Sequence, residues 1–133
     1  MLATAKPYTE SPTILLIDDE DAIRHVLSLA LEFEGYQVFT ASNGEEGLRT
    51  LRRIPRPGLI LLDLMMPVMD GWEFMEVLHK DPGFSDIPVV VITAFKNSNE
   101  IKHAAAVIEK PVELNELFQV AGRFCQRRKG GHG

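Results

Sequence analysis

Aspartates stand directly after two apolar runs in this chain. Asp18 and Asp19 follow the apolar residues 14–17, and Asp63 follows the apolar residues 59–62. In open parallel α/β sheets, ligands bind where strands reach their carboxyl ends, so we expect the three carboxylates at one such edge. Three carboxylates this close repel one another unless a cation lies among them. The pattern therefore predicts a cation site at a sheet edge.

A hydroxyl and an ammonium are expected at the same edge. Thr93 follows the apolar segment 89–92, and Lys110 comes soon after the apolar segment 105–108. These groups suit phosphoryl transfer onto Asp63, because such catalysis mainly positions and neutralises the charge of the moving phosphoryl group. Magnesium, held by two or three carboxylates and a backbone carbonyl, would neutralise one phosphoryl oxygen, while Lys110 and Thr93 would contact two others. The product would be an aspartyl phosphate.

Two spacing patterns of the apolar residues predict the strands and helices that position these side chains. Short apolar segments predict five strands, at residues 13–17, 36–40, 59–62, 89–92 and 105–108. Helical spacing predicts helices at residues 21–34, 45–53, 71–80 and 113–127. Their alternation predicts an α/β fold with a flavodoxin-like doubly wound five-stranded parallel sheet in the order 2-1-3-4-5 and helices on both faces. Strands 1 and 3 are neighbours in that order, which brings Asp18, Asp19 and Asp63 together.

Composition and charge narrow the classes of function. The 133 residues are enough for one domain with a sizeable core, since 45% of them are hydrophobic. The 14 basic and 19 acidic residues are interspersed and give a formal net charge of -5, which argues against nucleic acid as a direct partner. The single cysteine, Cys125, excludes an internal disulfide framework and is expected to be a small buried residue in a reducing compartment.

No part of the sequence predicts contact with a membrane. No apolar stretch approaches the roughly 20 residues that a membrane-spanning helix needs, and the first residues lack the apolar core of a secretory signal. We therefore expect a cytoplasmic protein. Residues 1–12 are expected to form a flexible leader, residues 13–127 one folded domain and residues 128–133 a polar tail.

Four motifs, taken in order, resemble the receiver domains of bacterial two-component response regulators. Each follows a predicted strand: Asp18-Asp19-Glu20, Asp63-Leu64-Met65-Met66-Pro67 with Asp70-Gly71, Thr93-Ala94 and Lys110-Pro111. The resemblance covers about residues 12–127. An acidic pair alone is common at turns, whereas four motifs in the right order at strand ends are specific.

The resemblance implies a phosphoryl acceptor with magnesium as its cofactor. Asp63 would accept the phosphoryl group from a phosphohistidine of a sensor histidine kinase or a histidine phosphotransfer protein, and an unknown downstream protein would receive the signal. Asp19 and Asp63 would be direct Mg2+ ligands, and Met65 would supply its backbone carbonyl. Asp18 would act mainly through a water.

The resemblance also implies roles at the ends of the last two strands. Thr93 and Lys110 would sense the phosphoryl group, and the peptide bond between Lys110 and Pro111 is expected to be cis. The protein would be a signalling module that catalyses only its own phosphorylation and dephosphorylation.

Two departures from the family pattern concern the output of the signal. The Tyr or Phe that the family usually has three residues before the lysine is here Val107, whose stiff, ringless side chain cannot make the same inward switch. The stretch from Thr93 to Lys110 is shorter than usual by about 4 residues, so the family's fourth helix is expected to be short or irregular. We hypothesise that the signal leaves by another surface or by an order change in residues 95–104.

Two other classes of protein remain open. A binding module that keeps this fold without phosphorylation would account for Val107 and the short segment, although the complete set of site residues argues against it. A hydrolase with an aspartyl-phosphate intermediate would use the same nucleophile. Such an enzyme usually needs a second acid two residues later, where this chain has Met65.

Overall fold

The computed structural model describes residues 12–94 and 101–125. The predicted leader, apart from Pro12, lies outside these residues, and so does the predicted tail. Residues 95–100 of the short segment also lie outside them. The domain limits at residues 12 and 127 therefore stay predictions.

Five parallel strands form one sheet in the predicted order, β2-β1-β3-β4-β5. They are β1 (Thr13–Ile17), β2 (Gln37–Ala41), β3 (Leu59–Asp63), β4 (Val89–Thr93) and β5 (Ala106–Glu109). Every residue of β1, β3 and β4 is buried, as expected of apolar strands covered on both faces, whereas the edge strands β2 and β5 are partly exposed. Ile17 pairs with Leu62, so the residues that follow them, Asp18 and Asp63, stand side by side at one edge.

In the part of the chain that the structure describes, four helices cover the sheet: α1 (Asp21–Phe33), α2 (Gly44–Leu51), α3 (Gly71–His79) and α4 (Leu114–Phe124). Side-chain caps fix two of the helix starts. Asn43 accepts a hydrogen bond from the Glu46 N–H, and Asp70 and Glu73 form a reciprocal capping box. Gly35 has a φ of 103°, the left-handed conformation predicted to follow α1. Within residues 12–94 and 101–125, no helix has the length and apolar character needed to cross a membrane.

Apolar layers on both faces hold the strand ends in place. On one face Phe74 of α3 joins Leu62 of β3 in a buried cluster. On the other face Leu31 of α1 and Leu117 of α4 join Leu61. Because each fully buried Leu or Phe side chain contributes about 2 kcal/mol, both layers stabilise the strands whose ends carry the site. The prediction of helices on both faces is confirmed.

The connection from β4 to β5 contains no helix in its described part, residues 94 and 101–105. This agrees with the predicted short or irregular helix. Ile101 and Ala104 pack against the apolar cluster on the α3 face, and His103 has a positive φ of 72°. The imidazole of His103 stacks on that of His79 at the end of α3, with 3.7 Å between the ring centroids. No local sequence pattern predicts this contact, because the two histidines belong to separate segments.

Candidate functional site

The sheet edge brings the three predicted carboxylates together. Oxygen atoms of Asp18, Asp19 and Asp63 all lie within 4.8 Å of one another. Asp18 and Asp63 are buried, with 1% and 5% of their surface exposed, whereas Asp19 is exposed. Two carboxylates are thus set into the fold, and the third faces solvent.

Asp63 is held at the end of β3 by the close approach of α3. The N–H of Gly71 donates to the Leu64 carbonyl at 2.9 Å, and a Cβ at position 71 would lie only 2.6 Å from the Asp63 carbonyl oxygen. Only glycine permits this packing between the first residue of α3 and the strand end. The backbone N–H of Met65 donates weakly to Asp63 Oδ1, at 3.4 Å.

Asp18 is fixed through its backbone and its side chain. Its N–H donates to the Ala41 carbonyl at 3.1 Å, and its Oδ1 accepts a hydrogen bond from the Glu20 N–H at 2.9 Å. Its carbonyl oxygen accepts a 2.7 Å hydrogen bond from the guanidinium of Arg24. The sequence pattern gave no role to Arg24, because its contact depends on the direction in which the chain turns after β1.

Lys110 lies among the carboxylates, as predicted. Its ammonium is 3.3 Å from Asp18 Oδ2, 3.6 Å from Asp63 Oδ2 and 3.5 Å from Glu20 Oε1. The peptide bond between Lys110 and Pro111 is cis, as expected. Glu20 is thus a further acidic residue at the site. It is part of the first sequence motif, which indicated no role for it.

Thr93 is the last residue of β4 and is completely buried. Asp63 pairs with Ile92, so Thr93 lies one residue beyond Asp63 along the neighbouring strand. Its carbonyl oxygen accepts a hydrogen bond from the Lys110 N–H at 2.9 Å. The strand ends therefore bring Thr93 and Lys110 to the edge that carries the carboxylates. The Met65 side chain is 61% exposed, and the role of its carbonyl stays a prediction.

Burial and nearby negative charge both make Asp63 harder to ionise. Burial and the neighbouring Asp18 raise the pKa of Asp63 from its ordinary 3.8 to about 6, against the opposing effects of Lys110 and the Met65 N–H. Burial lowers the pKa of Lys110, but Asp18, Asp63 and Glu20 together raise it by more, so the net direction is upward. Among the described residues, the Lys110 ammonium thus faces several carboxylates, and this set of hard oxygen donors fits a divalent cation such as Mg2+.

A family model described as the response regulator receiver domain matches residues 14–121. The chain therefore belongs to the response regulator receiver domain family. Receiver domains are signalling modules of two-component systems, and they bind Mg2+ through an acidic cluster, which here corresponds to Asp18, Asp19 and Asp63.

Curated proteins and solved structures give the same family. The transcriptional regulator RpaA of Synechocystis is 42% identical over 112 residues, which are 80% of this chain and 46% of RpaA. The probable transcriptional regulator ycf27 of Pyropia yezoensis is 46% identical over 81 residues, which are 61% of this chain and 32% of ycf27. The chain thus spans less than half the length of these two relatives.

One similar solved structure is that of the chemotaxis protein CheY4 from Vibrio cholerae. It has a TM-score of 0.79 and 27% identity, covering 86% of this chain and 99% of CheY4. The response regulator TrrA of Thermotoga maritima, solved in complex with Mg(2+)-BeF, has a TM-score of 0.76 and 29% identity, covering 85% of this chain and 98% of TrrA.

Proposed function

We propose that this chain accepts a phosphoryl group on Asp63 from a phosphohistidine of a partner protein. A carboxylate oxygen of Asp63 would form the new P–O bond while the P–N bond breaks and its electron pair returns to the imidazole. One observation carries the proposal. Asp63 is a buried carboxylate at a strand end, grouped with two other carboxylates and 3.6 Å from the Lys110 ammonium.

We assign Mg2+ to the acidic cluster. Asp19 and Asp63 would be direct ligands, the Met65 carbonyl a third, and Asp18 would act through a water. When bound, Mg2+ would supply positive charge that offsets both the repulsion among the carboxylates and the charge of the incoming phosphoryl group. A pKa of about 6 leaves Asp63 ionised near neutral pH, as a nucleophile must be.

Lys110 and Thr93 would hold two phosphoryl oxygens. The Lys110 ammonium already contacts the Asp63 carboxylate and is therefore within reach of a group attached to it. A phosphoryl group that attracts Lys110 and Thr93 would act on the ends of β4 and β5 together, because their backbones are hydrogen bonded there. The domain would catalyse its own phosphorylation and dephosphorylation and no other reaction.

The signal would leave through the connection between β4 and β5. Val107 is half-buried and packs, with Ile101 and Ala104, against the apolar cluster on the α3 face. A shift at the ends of β4 and β5 would reach this connection through packed side chains, and we expect an order change in residues 95–104. Hydrogen exchange with and without a beryllofluoride mimic tests this. Altered protection supports the proposal, and identical protection contradicts it.

The exposed face of α1 is suited to a helical phosphodonor. Ala22, Val26, Leu29 and Phe33 are exposed, follow the 4-3-4 spacing of a helix seam, and begin three residues after Asp19. This spacing is typical of a helix that packs against another helix. The sensor histidine kinase or histidine phosphotransfer protein would thus present a helix to α1, close to the acceptor.

A matched pair of variants tests this docking face. Phe33→Ser is expected to slow transfer from a phosphohistidine protein but not from a small-molecule phosphodonor, which needs no docking surface. Val77→Ser, on α3 at the opposite face of the sheet, is the control and is expected to affect neither reaction. Equal slowing by both variants would contradict the assignment of α1.

Intact mass after incubation with Mg2+ and a small-molecule phosphodonor tests the acceptor function. The wild type is expected to gain one phosphoryl group, and Asp63→Asn none. Asp70→Asn is the control, because Asp70 lies in the same loop but caps α3, and asparagine is an equally good cap.

The other outcomes separate the alternative classes. Rapid turnover of phosphate without a stable adduct would favour an aspartyl-phosphate hydrolase. No gain with any donor would favour a phosphorylation-independent binding module. The cytoplasmic location and the downstream protein stay predictions.

A further inference from the structure

Arg24 is tied to the turn that carries the acidic pair. One guanidinium nitrogen donates to the Asp18 carbonyl oxygen at 2.7 Å, and the other donates to Asp21 Oδ1 at 2.6 Å. The Arg24 side chain is only 20% exposed. The guanidinium is therefore held against the turn that leads from β1 into α1.

The Asp18 carbonyl group is linked directly to Asp19 through their peptide bond. This carbonyl and the Asp19 N–H belong to one planar peptide unit, so fixing the direction of the oxygen fixes the plane from which Asp19 departs. The Asp18 N–H is held on its other side by the Ala41 carbonyl. Asp19 itself is exposed, so its placement depends on this backbone.

We propose that Arg24 is a positioning residue for the magnesium site, acting on Asp19 through the Asp18 carbonyl. The inference rests on the proposed function, since it takes Asp19 as a Mg2+ ligand. Arg24 would not be a ligand of the ion and would act on the site only through the Asp18 peptide group. Its planar guanidinium directs one nitrogen at the carbonyl oxygen while the other nitrogen binds Asp21, a geometry that lysine cannot reproduce.

Two roles of Arg24 predict opposite changes in Mg2+ affinity when this residue is removed. If Arg24 acted only by its charge, removing that cation would strengthen Mg2+ binding, because like charges repel. If Arg24 positions the turn, removing it would weaken Mg2+ binding by about tenfold, which is the usual effect of losing a residue that orients a metal ligand. The sign of the change decides between them.

The experiment measures the dissociation constant of Mg2+ by titration calorimetry on the whole chain, with far-UV circular dichroism to establish that each variant is folded. Arg24→Met removes both charge and donors, and Arg24→Lys keeps the charge. Arg49→Met is the matched control, because it removes an arginine that pairs with Glu45 on the exposed side of α2. Asp21→Asn removes the negative charge of the second partner of Arg24 and leaves the Asp18 carbonyl bond in place.

Arg24→Met is expected to bind Mg2+ about tenfold more weakly than wild type, with Arg24→Lys between the two. Arg49→Met and Asp21→Asn are expected to stay close to wild type. Unchanged or tighter binding by folded Arg24→Met would overturn the positioning role and leave the acceptor function intact. Equal weakening by Asp21→Asn would also overturn it, because the helix pair rather than the carbonyl bond would then be the cause. A wild type that binds no Mg2+ would contradict both proposals.

Discussion

Asp63→Asn is expected to stabilise the metal-free protein at neutral pH. The folded environment raises the pKa of Asp63 from 3.8 to about 6, mainly by burial and then by Asp18. The difference between these two pKa values corresponds to about 3 kcal/mol that ionisation of Asp63 costs the folded state. Asparagine fills the same space without a charge, so the variant avoids this cost.

The way in which the stability of the wild type changes with pH follows from the raised pKa of Asp63. Below about pH 3.8 the carboxyl is protonated in both states, and its contribution to stability is fully present. As the pH rises towards 6, the unfolded chain releases the proton while the folded state retains it, so the stability of the wild type falls. Above about pH 6 the whole contribution is lost. The advantage of Asp63→Asn should therefore grow by about 3 kcal/mol from acid to neutral pH.

Urea unfolding followed by circular dichroism, in the presence of a chelator and across this pH range, measures the effect. The quantity to compare is the difference in unfolding free energy between variant and wild type at each pH, since titrating groups that do not interact with Asp63 then cancel. Asp70→Asn controls for loss of an acid elsewhere in the loop. Saturating Mg2+ is expected to narrow the gap, because it stabilises the wild type by about 2.7 kcal/mol at 100 times its dissociation constant.

A difference that stays constant with pH would refute this account of the site. So would a difference of the opposite sign, with the variant becoming less stable relative to wild type as the pH rises. A constant difference would mean that Lys110 and the Met65 N–H fully offset the effects of burial and Asp18 on the pKa of Asp63, and the opposite sign would mean that they outweigh them.

Three further predictions concern the backbone around the site, each read by urea unfolding. Val68 has a φ of 70° and is exposed, so Val68→Gly should stabilise the fold by about 1 kcal/mol; a lower midpoint would contradict the strain. Gly71→Ala should destabilise it strongly, because the new Cβ would lie 2.6 Å from the Asp63 carbonyl oxygen, whereas Gly122→Ala on α4 meets nothing within 4 Å and should be neutral or stabilising. Asn43→Ala should cost about 1 kcal/mol through loss of the α2 cap, and no change would argue against that hydrogen bond.

The sheet and its carboxylates could be predicted because their signals are local. Four apolar residues before Asp63 indicate a buried strand, and an acid at its end has few structural reasons to be there. The order of the strands then follows from short right-handed connections. This is enough to place Asp18 beside Asp63 without any knowledge of contacts.

What could not be predicted depends on how segments meet in space. The hydrogen bond from Arg24 to the Asp18 carbonyl requires the turn after β1, and the contact between Lys110 and Glu20 joins residues 90 positions apart. The ends of some elements also differ from the prediction. β2 begins at Gln37, one residue later than predicted, and α4 ends at Phe124 rather than at residue 127. Helix ends are set by capping and by packing partners, which apolar spacing does not encode.

The most direct test of the acceptor assignment is chemical mapping of the phosphorylated residue. Borohydride reduces an aspartyl phosphate to homoserine, which peptide mass analysis can locate in the chain. After incubation with Mg2+ and a phosphodonor, we expect homoserine at position 63 and unmodified aspartate at positions 18, 19 and 70. Homoserine at any of those three positions, with Asp63 intact, would contradict it.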